Sequence, residues 1–286
     1  MEKYLLAITL RHKKRGLIKI MTKHILIPDT QIKPGVCVSH LNALGHYIVD
    51  QRPDVIVQIG DWADMHSLST YDIGKKAGEG ARYEDDIVAS TKAMEVLMEP
   101  LKQLQKKQRK NKEKIYRPEL ILTLGNHENR INRHVNAYPI LHGKLSTEDL
   151  RFEKYGWKGF DFLDVVERDG IAYSHYFPRN ANGQIVQTTR GAPNARVQVQ
   201  REQQSCSSGH LQGLSYHVQQ LRNRRCQGLI AGSCYMHEED YLGPQGTAYW
   251  RGVVVKHEVE NGQYDPMFVS MDYLLRKWWD GKERWV

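Results

Sequence analysis

The run Leu120-Ile121-Leu122-Thr123-Leu124 is apolar and β-forming, and it stops abruptly at Gly125-Asn126-His127-Glu128. Such a run reads as a buried strand, and open α/β sheets place their chemistry just beyond the carboxyl ends of their strands. Asn126 and His127 are therefore candidate site residues. The same construction occurs twice upstream, in His24-Ile25-Leu26-Ile27-Pro28-Asp29 and in Asp54-Val55-Ile56-Val57-Gln58-Ile59-Gly60-Asp61. Asp or Asn after a single strand is well explained as the start of a turn. That explanation accounts less well for three runs that each end on a metal-capable side chain.

Taken in order, residues 1–20 form an N-terminal extension to a domain over residues 21–286. Ser39 is placed to cap a helix with apolar positions Leu41, Leu44, Ile48 and Val49, ending before Pro53, which makes a strand-helix-strand unit. The polar stretch 65–82, with Gly74, Gly78 and Gly80, is long for a compact domain and reads as a flap beside the site, with His66 on it. Ile87, Thr91, Met94, Leu97, Met98, Leu101 and Leu104 recur at helical spacing, which predicts a long helix kinked or broken at Pro100. Its tail, Lys102 to Arg117, is strongly basic. Residues 132–157 look helical and irregular. A strand over Ile171 to Tyr176 delivers His175, whereas residues 184–208 have no clear period. Strands over 228–235, 252–259 and 267–273, the last two joined by Asn261-Gly262, are expected to complete a second sheet packed on the first.

At 286 residues and 40% hydrophobic content the chain can bury a sizeable core. No apolar stretch is long enough for a membrane span, and Arg11 to Arg15 follow the short apolar run 4–10 where a signal peptide would place its charges first, so a cytoplasmic protein is expected. Four cysteines without CxxC spacing predict reduced thiols rather than a zinc knuckle or disulfide framework. The net charge of +8 suits a polyanionic partner such as nucleic acid or a nucleotide, and also serves plain solubility.

Asp29-Thr30-Gln31, Gly60-Asp61-Trp62-Ala63-Asp64, Gly125-Asn126-His127-Glu128, Ser174-His175 and Gly209-His210-Leu211-Gln212 resemble, in order and rough spacing, the motifs of the calcineurin-like metallophosphoesterases. The resemblance covers about residues 22–215. It implies an α/β fold, a two-sheet sandwich flanked by helices. It also implies hydrolysis of phosphodiester or phosphomonoester bonds by metal-activated water, with two divalent ions close together.

Carried across position by position, the resemblance makes Asp61 a bridge between the ions and gives Asp29 to the first. Asn126, His175 and His210 join Asp61 on the second. His127 then faces the substrate as a leaving-group acid oriented by Asp64. Arg130 and Arg179 are candidate substrate contacts, although Arg130 serves equally well as an ion-pair partner of Glu128 or another acid.

Gln31 and Gln212 depart from the family pattern, standing where it has histidines on the first ion. A first site built from Asp29, Asp61, Gln31 and Gln212 is oxygen-rich, which points to Mn²⁺ first and Mg²⁺ next. The mixed second site suits Mn²⁺, Fe²⁺ or Zn²⁺. His217 and His237 are alternatives to the two glutamines on the first ion, though both read better as surface or core histidines. The rival reading is a catalytically weakened nucleic-acid-binding module on the same fold. Retention of His127 and Asp64 argues against it.

Overall fold

Apolar runs and amphipathic stretches alternate along the chain and give the strands and helices of the structure, a computed structural model that describes residues 21–178, 188–189, 192–238 and 249–286. The expected extension over residues 1–20 and the candidate Arg179 lie outside the described residues. The first half contains β1 (Thr22–Ile27), α1 (Ser39–Gln51), β2 (Val55–Gln58), α2 (Tyr83–Lys110), β3 (Glu119–Thr123), α3 (Asn129–Ala137) and β4 (Lys158–Phe160). Then come β5 (Val166–Arg168), β6 (Ile171–Tyr173), the pair β7 (Thr188–Thr189) and β8 (Ala192–Pro193), α4 (Ala195–Glu202) and β9 (Ser205–Ser208). β10 (Leu214–Gln220), β11 (Arg225–Ala231), β12 (Gly252–Glu260), β13 (Gln263–Ser270) and α5 (Met271–Trp278) complete it.

Two mixed sheets result, one in the order β13-β12-β1-β2-β3-β4 and one in the order β10-β11-β9-β6-β5. In the first, β1, β2, β3 and β4 run parallel. The period of two along its strands sorts side chains to opposite faces. Ile25, Ile27, Ile56, Leu120 and Leu122 pack with α1 and α2, whereas Leu26, Val55, Val57 and Ile121 pack against Tyr173 and Leu229 of the second sheet. α4 covers the far face of the second sheet, where Val199 meets Cys206 and Cys226. The architecture is therefore mixed α/β, with two sheets flanked by helices. Among the described residues no helix is long and apolar enough to cross a membrane, and all four cysteines are free thiols.

Several expectations need correction. The last two strands do not enter the second sheet: β12 pairs antiparallel with β1 and β13 with β12, extending the first. Val253, Val254 and Val255 are all buried, Val253 and Val255 on the helix side and Val254 between the sheets. A continuous apolar run of this kind suits a strand covered on both faces. β6 stops at Tyr173, so His175 lies just past a strand end. The indistinct stretch 184–208 includes α4 and β9.

α2 runs unbroken through Pro100. Proline inside a helix costs roughly 3 kcal/mol. Here its buried ring lies where α1 has Gly45, and a Cβ at Gly45 would stand 3.0 Å from Pro100 Cγ and Cδ and overlap the Leu97 carbonyl oxygen. Close packing of the two helices offsets the lost hydrogen bond. Ser39 does not cap α1: it is the first residue of the helix, with Val38 at the N-cap, and its Oγ accepts from the Arg284 N–H at 2.8 Å. The expected flap over 65–82 is packed at its root, with Met65 and Leu68 buried, and becomes exposed only further on, at Tyr71 and Ile73.

A polar seam crosses the interface between the sheets. His24 of β1 pairs in register with Lys256 of β12, and Tyr173 of β6 with Ser207 of β9. Lys256 Nζ donates to Tyr173 Oη at 3.1 Å and to Ser207 Oγ at 2.6 Å. The Tyr173 hydroxyl then donates to His24 Nδ1 at 2.8 Å, and His24 Nε2–H donates to Asp169 Oδ2 at 2.9 Å. Burial brings His24 down to about 4 from its ordinary 6.5, outweighing the pull of Asp169.

His24 is thus neutral when folded but protonates freely when unfolded. Its contribution to stability is full above about pH 6.5 and is lost as pH falls toward 4. Urea unfolding of metal-free protein at pH 7 and pH 4.5 is expected to show the native chain losing about 2 kcal/mol more than His24→Gln over that interval. Equal losses would sink this account.

Candidate metal centre

Five of the seven metal candidates come from one rule of placement. Asp29 follows the end of β1, Asp61 that of β2, Asn126 that of β3, His175 that of β6 and His210 that of β9, each within three residues. All five strands are in parallel pairings, β1–β3 in one sheet and β6 and β9 in the other. The carboxyl ends of both sheets therefore meet at one edge, the position where α/β sheets carry sites.

The ligand atoms of Asp61, His175 and His210 lie within 4.8 Å of one another. Asn126 Oδ1 is 3.0 Å from His175 Nε2 and 2.7 Å from His210 Nδ1. His175 Nδ1–H donates to the Ile59 carbonyl at 2.9 Å, and Nε2 faces Asp61 Oδ2 at 3.3 Å. A backbone anchor on the far nitrogen is the usual way a ligating histidine is oriented. Burial opposes charge on His175, but the Asp61 and Asp29 carboxylates push it up to about 9. Burial and the neighbouring His175 bring His210 down to about 4. Asp61 Oδ2 and Asn126 Oδ1 thus converge on His175 Nε2, and Asn126 Oδ1 also accepts from His210 Nδ1–H, an arrangement in which a divalent cation can take the place of these protons.

On the other side of Asp61, Asp29 is wholly buried and both its oxygens accept from the His210 N–H at 3.1 Å. Burial and the Asp61 carboxylate push Asp29 up to about 7, against the pull of His175. Burial also works against ionisation of Asp61, but facing His127 and His175 hold it well below the usual carboxylate range. Gln31 Nε2 donates to Asp61 Oδ2 at 3.2 Å, while its Oε1 is buried with no hydrogen-bond partner. An orphaned carbonyl-type oxygen beside two buried carboxylates fits a hard cation. Gln212 differs: its Oε1 accepts from the Tyr235 hydroxyl at 2.7 Å. The residues that fit a first ion are therefore Asp29, Asp61 and Gln31.

Backbone strain gathers at this edge, as it does at functional sites generally. Gln31, Asp61, Met65, His210 and Gln212 all have φ between 49° and 67°. Glu128, named by sequence only as the end of its motif and a partner for Arg130, is the residue that braces these turns. It is fully buried and accepts the N–H groups of Asp61 at 3.0 Å, Ala63 at 2.7 Å and Gly125 at 2.7 Å. Burial and nearby Asp61 push it up to about 7 despite those donors. Gly125 is required beside it, since a Cβ there would overlap the carboxylate and amide nitrogen of Asp61. The signal available in the sequence was the spacing: a Glu three residues after a turn glycine can reach back to free N–H groups, as in a capping box.

His127 sits beside the cluster with Nδ1 2.6 Å from Asp64 Oδ1 and Nε2 3.8 Å from Asp61 Oδ2. Burial opposes its protonation, but Asp61 and Asp64 together raise it above the ordinary value. Asp64, despite burial, is held low by His127 and then Arg130. Arg130 Nη1 donates to the Asp64 carbonyl at 2.8 Å and pairs with Asp64 Oδ1 at 3.3 Å, so its acid partner is Asp64 and not Glu128. Its Nη2 lies 3.4 Å from His127 Nε2. His66 lies 4.0 Å from Asp64 Oδ2 and 3.8 Å from Asp72 Oδ2.

The alternative ligands His217 and His237 are outside the cluster: His217 is on β10, and the His237 ring lies 4.9 Å from that of Tyr235. The basic run Lys102 to Arg117 leads into the amino end of β3, where Tyr116 Oη donates to the Pro53 carbonyl. That is the sheet edge opposite the metal candidates. Compared with known proteins, the chain matches no protein-family model and no curated protein.

Proposed function

We propose that this chain is a metal-dependent phosphoesterase of the calcineurin-like type, hydrolysing phosphodiester or phosphomonoester bonds, with nucleotides or nucleic acid as the leading substrates. The observation that carries the reading is the convergence of Asp61, Asn126, His175 and His210 beside a histidine, His127, that is oriented by its own carboxylate. Asp29, Gln31 and Asp61 would hold one divalent ion, and Asp61, Asn126, His175 and His210 a second. Mn²⁺ is the ion that suits both the oxygen-rich first set and the mixed second one. When bound, such a pair neutralises phosphate oxygens and acidifies an attacking water.

The chain's own residues supply the rest. Asp64 accepts from His127 Nδ1–H and fixes the ring, which leaves Nε2 to carry the proton delivered to the leaving oxygen. Arg130 holds Asp64 in place and keeps Nη2 beside His127, within reach of a phosphate oxygen. The wholly buried floor of Asp29, Asp61 and His175 excludes bulk water from beneath the reacting group.

The test is hydrolysis of bis-p-nitrophenyl phosphate and p-nitrophenyl phosphate by metal-stripped protein refilled with Mn²⁺, Mg²⁺, Fe²⁺ or Zn²⁺. Mn²⁺-dependent turnover is expected, falling about 10²–10⁴-fold in His127→Ala, the usual contribution of a general acid. The ratio of the two substrates separates diesterase from monoesterase. One observation favours the second reading, a catalytically weakened nucleic-acid-binding module: Gln212 is engaged by Tyr235, which thins the first site to three residues. Folded protein that turns over neither ester with any of these metals would replace the first reading by the second.

A further inference from the structure

Arg251 sits just before β12, two lateral steps from Asp29. Asp29 bridges Ser233 and Ser233 bridges Arg251, both in parallel sense. With neighbouring strands about 4.8 Å apart, the Arg251 Cα stands about 10 Å from that of Asp29. The guanidinium lies 5.0 Å over the ring of Tyr235, whose hydroxyl holds Gln212 at the edge of the metal candidates. The Tyr235 ring is in turn 4.9 Å from that of His237.

Arg251 is half-buried and its Nε is fully buried without a hydrogen-bond partner. Among the described residues no carboxylate pairs with it. The other arginines facing into structure are paired: Arg130 with Asp64, Arg168 with Glu119 and Arg284 with Asp280. A guanidinium stacked on an aromatic face, with its fork of donors unspent, is prepared for a planar or tetrahedral oxyanion. The aromatic ring limits its rotamers in advance, so less freedom is lost when an anion arrives.

We propose that Arg251, stacked on Tyr235 beside His237, is a second anion subsite that receives a non-reacting phosphate of the substrate while the scissile phosphate lies at Asp61. The proposal rests on the phosphoesterase reading above and narrows it to substrates that carry a second phosphate near the first. Arg251 would act on affinity and choice of substrate, and the chemistry stays with His127 and the metal candidates.

Calorimetric binding of thymidine 3′,5′-bisphosphate and thymidine 5′-monophosphate, to Ca²⁺-filled protein so that hydrolysis does not intervene, tests it. The native chain is expected to bind the bisphosphate at least tenfold more tightly. Arg251→Ala is expected to bring that ratio close to one, and Arg251→Lys, with charge but no fork, to keep part of it. Equal binding of the two nucleotides by the native chain, no binding of either, or an undiminished ratio in Arg251→Ala overturns the proposal. A preference lost in Arg251→Ala in protein that shows no metal-dependent hydrolysis keeps the subsite and removes the phosphoesterase. Hydrolysis without that preference does the reverse.

Discussion

Asp61→Asn is expected to lower Mn²⁺-dependent turnover of bis-p-nitrophenyl phosphate by about 10³-fold or more, the loss that follows when several kcal/mol of charge stabilisation disappear. The substitution is nearly isosteric, and Asn tolerates the left-handed backbone that Asp61 adopts at φ 51°. It leaves the N–H groups that Glu128 accepts in place. Folding is therefore largely preserved while the oxygen shared by His175, Gln31 and His127 loses its charge. Metal analysis of the purified variant should show fewer than two ions per chain. Full metal content and native turnover together would show that Asp61 bridges nothing.

The second large effect concerns stability. Glu128→Ala removes the acceptor of three buried N–H groups, those of Asp61, Ala63 and Gly125. An orphaned buried donor costs about 1–3 kcal/mol, so the loss is expected to be about 3 kcal/mol or more. For a chain of this size that lowers the melting temperature by roughly 10 °C. Glu128→Gln, which keeps an acceptor oxygen, is expected to lose less. Thermal unfolding of metal-free protein followed by circular dichroism gives the comparison. An Ala variant that melts with the native chain would mean the turns after β2 and β3 hold their shape without the carboxylate.

The candidate site was legible where chemistry follows a strand end. Asp29, Asp61 and Asn126 announce themselves because a buried parallel strand reads as an unbroken apolar run and its carboxyl end is marked by the first small or polar residue. The run Ile171 to Tyr176 marked His175 as following a strand, but its part as a ligand came only through the resemblance, and His210 was legible through the resemblance alone, since β9 is Ser-Cys-Ser-Ser and not a distinctive run. For Glu128 only the local bond to the Gly125 N–H could be read from spacing; its bonds to the N–H groups of Asp61 and Ala63, more than sixty positions away in the chain, could not, because they depend on which distant groups the fold brings within reach.

Local pattern by itself determined the parallel order of the first three strands' chemistry, the helices between them and the turn at Asn261-Gly262, because side-chain period and turn residues act over a few positions. Tertiary structure decided what depends on partners. β12 took the open edge of β1 for its backbone hydrogen bonds, because there the helices cover Val253 and Val255 and the second sheet covers Val254, and β13 then paired with β12. α2 passed straight through Pro100 because Gly45 on another helix made room for the ring. Gln31 was left with an unpaired oxygen beside Asp61, while Gln212, of the same residue type, was taken by Tyr235. Two equal side chains diverged because hydrogen bonding depends on the atoms brought within 3 Å, and only the fold sets that distance.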